Sequence, residues 1–151
     1  MKRLFLAILV FAMPLISFGQ TPNPTGLVYI QPSLGSVDLV NQSGTLGSTT
    51  IVSSIPAGNY NLHYYVNQPS ACTGTSGSIK LKFTWNDSGF TGRSSTTGAL
   101  SLTTTESTAA NYMSGVFPIR VTASTTVTVT TSTFTACTSA TLYDLHAWVT
   151  N

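Results

Sequence analysis

Two cysteines and two histidines carry much of the reactive chemistry of this chain, and their spacing is symmetric. His63 lies nine positions before Cys72, and His146 lies nine positions after Cys137. If the cysteines bond and the runs around the histidines pair antiparallel, position i lies opposite 209 − i, because 72 + 137 = 209. That register sets His63 against His146, Tyr65 against Asp144 and Asn61 against Trp148, with all of them on one face. The other face then holds Leu62, Tyr64, Val66, Tyr143, Leu145 and Ala147, an apolar set that reads as core. A slip by an even number of residues changes the partners but keeps both faces.

Three kinds of chemistry suit that face. Trp148, Tyr65 and the histidines beside Asp144 form a ring-lined surface of the sort on which sugars stack, with the carboxylate and the Asn61 amide accepting hydroxyl bonds. His63, His146 and Asp144 are also a ligand set that suits zinc or copper. The third use needs no ligand: cross-strand ring and polar pairs each stabilise a sheet by about 0.2–1 kcal/mol, and aromatics enrich protein–protein contacts. The third is favoured, so no metal and no cofactor is expected.

Catalytic patterns are missing. Asp87, Glu106 and Asp144 sit in separate segments, with nothing to bring two of them together as a glycosidase pair. Gly-x-Ser-x-Gly is absent, as is a phosphate-cradling glycine loop. A bonded cysteine pair supplies no nucleophile. The chain is therefore expected not to be an enzyme.

The amino terminus explains the cysteine usage. Met1-Lys-Arg3 is a positive start, Leu4 to Ile16 is apolar, and Ser17-Phe-Gly19 offers the small residues of a cleavage site, so residues 1–19 read as a signal peptide. The apolar run is shorter than the roughly 20 residues a span needs, so no membrane span is expected in the mature chain. An exported chain with two cysteines is expected to join them, and Cys72–Cys137 would be the single disulfide.

Cleavage before Gln20 also removes the charge excess. The whole chain has a net charge of +2, carried by Lys2 and Arg3. What remains has Lys80, Lys82, Arg93 and Arg120 against Asp38, Asp87, Glu106 and Asp144, so 4 − 4 = 0. No basic footprint for nucleic acid is left. Serine and threonine supply the polarity, and a surface poor in charge lacks the repulsion that keeps copies apart.

Residues 20–151 are one domain by length and show no helical periodicity. Pro22 and Pro24 mark an extended lead-in, followed by a first short strand at Leu27–Ile30. Further strands are expected at Ser36–Val40, Thr49–Ile55, Asn61–Asn67, Ile79–Trp85, Ala99–Thr105, Tyr112–Val121, Thr126–Thr130 and Leu142–Val149. Pro56-Ala-Gly58 is a turn, Gly92–Gly98 reads as a flexible Ser/Thr loop, and Pro118 marks an edge or a bulge. Thr126, Thr128 and Thr130 line one side of their strand and read as a solvated surface.

From about Ile55 onward the order of segments resembles a group of uncharacterised small bacterial and phage-associated β-proteins. The residues carrying the likeness are Ile55-Pro-Ala-Gly58, Asn61-Leu-His-Tyr-Tyr-Val66, Leu81-Lys-Phe-Thr-Trp-Asn-Asp87 and Leu142-Tyr-Asp-Leu-His-Ala-Trp-Val149. The resemblance implies a jelly-roll-like sandwich whose last strand lies inside a sheet, and it implies no catalytic residues. The cysteine pair and the signal peptide depart from that group's pattern and place this chain outside a cytoplasm.

The sequence thus predicts an all-β protein: one antiparallel, jelly-roll-like β-sandwich of seven to nine strands with one disulfide. Its expected role is that of a secreted, extracellular or cell-surface structural or adhesive module, with other copies of itself as partner. A small carbohydrate-binding module with a surface glycan as partner is the other reading. Asn61, His63, Tyr65, Asp144, His146 and Trp148 form the expected ligand or interface face.

Overall fold

The computed structural model describes residues 33–72, 74–87, 89–104, 111–137 and 143–151. The expected signal peptide, the lead-in, the strand at Leu27–Ile30, Glu106 and the first residue of the last expected strand, Leu142, lie outside the described residues.

Among the described residues the chain forms nine strands, most of them built on alternating apolar and polar side chains: β1 (Gly35–Gln42), β2 (Thr49–Ile55), β3 (Gly58–Asn67), β4 (Gly77–Asp87), β5 (Phe90–Thr96), β6 (Leu100–Leu102), β7 (Tyr112–Val121), β8 (Thr125–Thr135) and β9 (Tyr143–Thr150). They form two antiparallel sheets. One has the order β1-β9-β3-β7; the other has β2-β8-β4-β5, with β6 also paired to β4. The chain passes between the sheets at β1–β2, β2–β3, β3–β4, β6–β7, β7–β8 and β8–β9. That alternation is the winding of a jelly roll. The final strand, β9, sits between β1 and β3.

The inner faces meet in one core. Leu62 and Val66 of β3 and Tyr143, Leu145, Ala147 and Val149 of β9 are fully buried, as are Ile79, Leu81 and Phe83 of β4 and Val127 and Val129 of β8. Tyr64, Phe83 and Phe117 link the sheets by ring contacts at 5.5–5.8 Å. Gly115 makes room for this cluster, since a Cβ there would lie 2.7 Å from the Tyr64 hydroxyl. Burial pushes the phenols of Tyr64 and Tyr143 above their ordinary titration range.

The disulfide closes one end. Cys72 follows β3 and Cys137 follows β8, with Cα atoms 5.6 Å apart and a sequence separation of 65. Gln68 organises the same end. Its amide donates to the carbonyls of Ser70 and Thr103, and its carbonyl oxygen accepts from the Thr103 N–H and the Asn111 amide. At the other end, buried Asp87 of β4 accepts from Arg120 Nε of β7 at 2.8 Å, and Arg93 Nε of β5 stands 3.6 Å away. That cluster ties the β7 edge of one sheet to the β4–β5 edge of the other.

Two expectations change. Gly92–Gly98 is largely strand β5, not a flexible loop; it pairs with β4 from Lys82↔Thr96 to Asp87↔Phe90. Its side chains are almost all exposed, so it has no apolar alternation to reveal it. Strands β3 and β9 also pair two residues away from the symmetric register: Tyr64 opposes Ala147 and Val66 opposes Leu145, so opposed positions sum to 211. The cysteines do pair, but the loops that carry them lie outside the ladder and do not hold it in step.

Candidate functional site

The even slip leaves the face intact while changing every partner on it. Asn61, His63 and Tyr65 of β3 and Asp144, His146 and Trp148 of β9 all point outward from the four-stranded sheet, opposite in parity to the buried set. His63 opposes Trp148 rather than His146, Tyr65 opposes His146 rather than Asp144, and Asn61 opposes Thr150 rather than Trp148. Asp144 opposes Asn67.

Extending the rows across all strands adds residues that the sequence did not single out. One row runs Ser36–Trp148–His63–Val116, and the next runs Asp38–His146–Tyr65–Ser114. A third runs Asp144–Asn67–Tyr112. Tyr112 and Val116 reach the face because β7 lies beside β3, a neighbour that no local pattern announces. The sequence predicts a strand at Tyr112–Val121 but not the face that its residues join.

The rings stand against one another. His63 lies nearly parallel to Trp148, with centroids 5.0 Å apart and 7° between planes. His146 leans on Trp148 at 4.8 Å and 37°. Tyr65 stacks with Tyr112 at 5.7 Å. Strands lie about 4.8 Å apart, so side chains standing off neighbouring strands meet face to face and show their edges to solvent.

The polar groups are largely committed. His63 Nε2 is 3.1 Å from the Thr150 hydroxyl, and burial lowers the His63 pKa from its ordinary value of 6.5. Asp144 Oδ1 accepts from the Asn41 N–H at 2.7 Å. Asn41 sits at φ 54 within the irregularity between Leu39 and Gln42, so this carboxylate caps a bulge in β1. Asp144 Oδ2 has the Asn67 amide at 3.5 Å. Asp38 Oδ1 lies 3.9 Å from His146 Nδ1.

This geometry bears on each chemistry in turn. A metal chelate needs its ligands around one point, whereas both histidines are engaged as rings against Trp148. Among the described residues no three or more His, Cys, Asp or Glu side chains gather as a metal site. A glycosidase pair needs carboxylates within about 10 Å. Asp87 is bound to Arg120, which opposes Asn59, whereas Asp144 opposes Asn67. Eight residues of strand separate those positions, roughly 27 Å. The outer face instead presents apolar surface: Tyr65 is 40% exposed, Tyr112 53%, Val116 51% and Val40 60%.

Two shallow concavities flank the same β3–β7 edge. One of about 300 Å³ is lined by Asn59, Tyr60, Asn61, Pro118, Ile119 and Arg120. The second, of about 420 Å³, lies toward the turn at Thr122 and Ala123. Neither is lined by a cysteine, a serine, a histidine or a carboxylate.

Among the described residues no helix is long and apolar enough to cross a membrane. No protein-family model matches the chain, and no curated protein matches it.

Proposed function

We propose that this protein is a secreted, non-catalytic structural or adhesive module that associates with copies of itself through the outer face of its four-stranded sheet. The observation that carries this reading is the ring surface, where His63, Trp148, His146, Tyr65 and Tyr112 pack against one another beside exposed Val116. Rings already held by their neighbours lose little freedom on contact, so burying them is favourable at low entropic cost.

Size and charge suit a second copy. Four strands about 4.8 Å apart and eight residues of about 3.4 Å each span roughly 19 by 27 Å. Side-chain relief raises that projected area toward the roughly 800 Å² that each partner buries in a standard interface. The face carries few ionisable groups, and Asp144 and Arg120 are engaged by Asn41 and Asp87. Two such faces meet without strong repulsion.

Lateral growth through sheet edges is less suited. β1 is bulged near Asn41, and β7 carries Pro118, which has no N–H to offer a new strand. The Cys72–Cys137 bond supports an oxidising, extracytoplasmic setting.

A surface glycan is the second reading, supported by the same concentration of rings. It is the weaker one because a stacking platform needs an open ring face, and both histidines cover Trp148.

Sedimentation of the disulfide-bonded mature protein over a range of concentrations at neutral pH tests the proposal. Reversible oligomers are expected, weakened by Trp148→Ala. A monomer at every concentration, or oligomers indifferent to Trp148→Ala, would overturn it. Binding on a glycan array, lost in Trp148→Ala, would move the reading to sugar recognition.

A further inference from the structure

We propose that acidification releases the contact between copies, and that His63 is the group whose protonation parts them. This rests on the self-association reading and adds its control.

The chain has only two histidines, and both touch the same tryptophan. Their surroundings differ. His146 has the Asp38 carboxylate of β1 at 3.9 Å. For His63 the contacts are the Thr150 hydroxyl and the Trp148 ring.

The other charged or titratable groups turned to this face are occupied elsewhere. Asp144 of β9 caps the Asn41 N–H. Arg120 of β7 is bound to Asp87. Tyr65 of β3 and Tyr112 of β7 stack on each other. A proton on His63 therefore adds a charge for which the described residues show no carboxylate partner, in the middle of the surface to be buried.

Contact with a second copy makes that charge costlier, because it removes water and brings the partner's own charge near. Burial already disfavours the charged form of His63 in the single chain. The sign follows directly. Neutral His63 permits association above its titration, and association fails as pH falls through it. Each proton taken up on separation weakens association by up to about tenfold per pH unit, so two His63 side chains give up to about a hundredfold.

The test is sedimentation of the mature, disulfide-bonded protein at pH 7.5 and 5.5 at one salt concentration, with far-ultraviolet circular dichroism to follow folding. Oligomers at pH 7.5 and folded monomers at pH 5.5 are expected, and a His63→Gln variant whose association, whatever its strength at pH 7.5, no longer changes between the two pH values; where that variant does not associate at all, the histidine resonances described below decide. Equal association at both pH values would overturn the acid release while leaving the contact standing. Monomers throughout would overturn the contact itself. Acid release that survives His63→Gln but disappears in His146→Gln would overturn the assignment to His63. Should His63→Gln fold poorly, histidine proton resonances of the unaltered protein decide instead. The His63 pKa should fall as protein concentration rises, and a concentration-independent value would count against the proposal.

Discussion

The two outward faces of this sandwich rest on the same core and differ almost completely in chemistry. The face of β1-β9-β3-β7 presents His63, Trp148, His146, Tyr65 and Tyr112. The face of β2-β8-β4-β5 presents the row Thr50–Thr128–Thr84–Ser94, and beside it Lys82 between Thr130 and Thr96. Threonine suits a pleated surface because its branched carbon packs locally while its hydroxyl stays hydrated. Lysines standing on such a sheet resist stacking of another molecule. The inner residues determine the fold and the outer ones determine which side can be buried. One side presents hydroxyls and lysines, the other packed rings, and the proposed contact uses the second.

The largest effect that could break this comparison comes from the staple that both faces share. Replacing both cysteines, as Cys72→Ala with Cys137→Ala, should lower stability by about 2–4 kcal/mol, since a bridge across 65 positions restricts the unfolded chain strongly. The two tryptophans make the test specific: Trp148 reports the ring face, and Trp85 of β4 reports the other sheet. Fluorescence melts of Trp85→Phe and Trp148→Phe versions should give one shared transition. Separate transitions would mean that the faces differ in stability as well as in chemistry.

A smaller effect, on association alone, sharpens the contrast. Val116→Asp places a charge among the rings at a half-exposed position and should weaken association at least about tenfold, roughly 1.4 kcal/mol. Thr128→Asp adds the same charge to the other face and should leave association unchanged. Sedimentation at equal concentration compares them. Equal losses from both would mean that net charge governs association, and that the ring face is nothing special.

How far the sequence could foresee this depends on what each residue pattern encodes. Period-two alternation encodes the face, so Leu62, Tyr64, Val66, Leu145 and Ala147 were recognisable as core and the ring set as outward. Register is encoded by turns and bulges, and β3 and β9 are not joined by a turn. The loops at Cys72 and Cys137 could therefore absorb two residues and set Trp148, not His146, against His63. Strand β5 was hidden for a related reason: an edge strand with little core contact needs no apolar alternation. The neighbours Tyr112 and Val116 were hidden because lateral order in a sheet is a property of the whole winding.

Below these in size stands the tie between the sheets. Asp87→Asn should lower the melting temperature by a few degrees, about what one lost charge-assisted hydrogen bond costs. The hydrogen bond to Asp87, and then its charge, raise the Arg120 pKa above its ordinary value, so Arg120 keeps its charge through any ordinary alkaline titration. Stability should therefore not sag at pH 9 through this residue. Because Arg120 belongs to β7, freeing it should also loosen the strand that presents Val116 and weaken association slightly. A drop in melting temperature with association untouched would separate the tie from the ring face.

The smallest expected effect asks whether ring geometry or mere apolarity makes a face associate. Thr128→Val keeps the shape of the side chain and removes one hydroxyl from the wet face. Thr128 is partly exposed between Thr50 and Thr84, so stability should move by no more than about 0.5 kcal/mol. Oligomer size should stay as in the unaltered protein, because one added methyl leaves Lys82 and the neighbouring hydroxyls in place. Larger assemblies from this variant would show that the threonine row is held polar against stacking, and that any apolar gain on that side creates a second contact. An unchanged distribution, set beside the loss from Val116→Asp, would assign association to packed rings that a single aliphatic group cannot imitate.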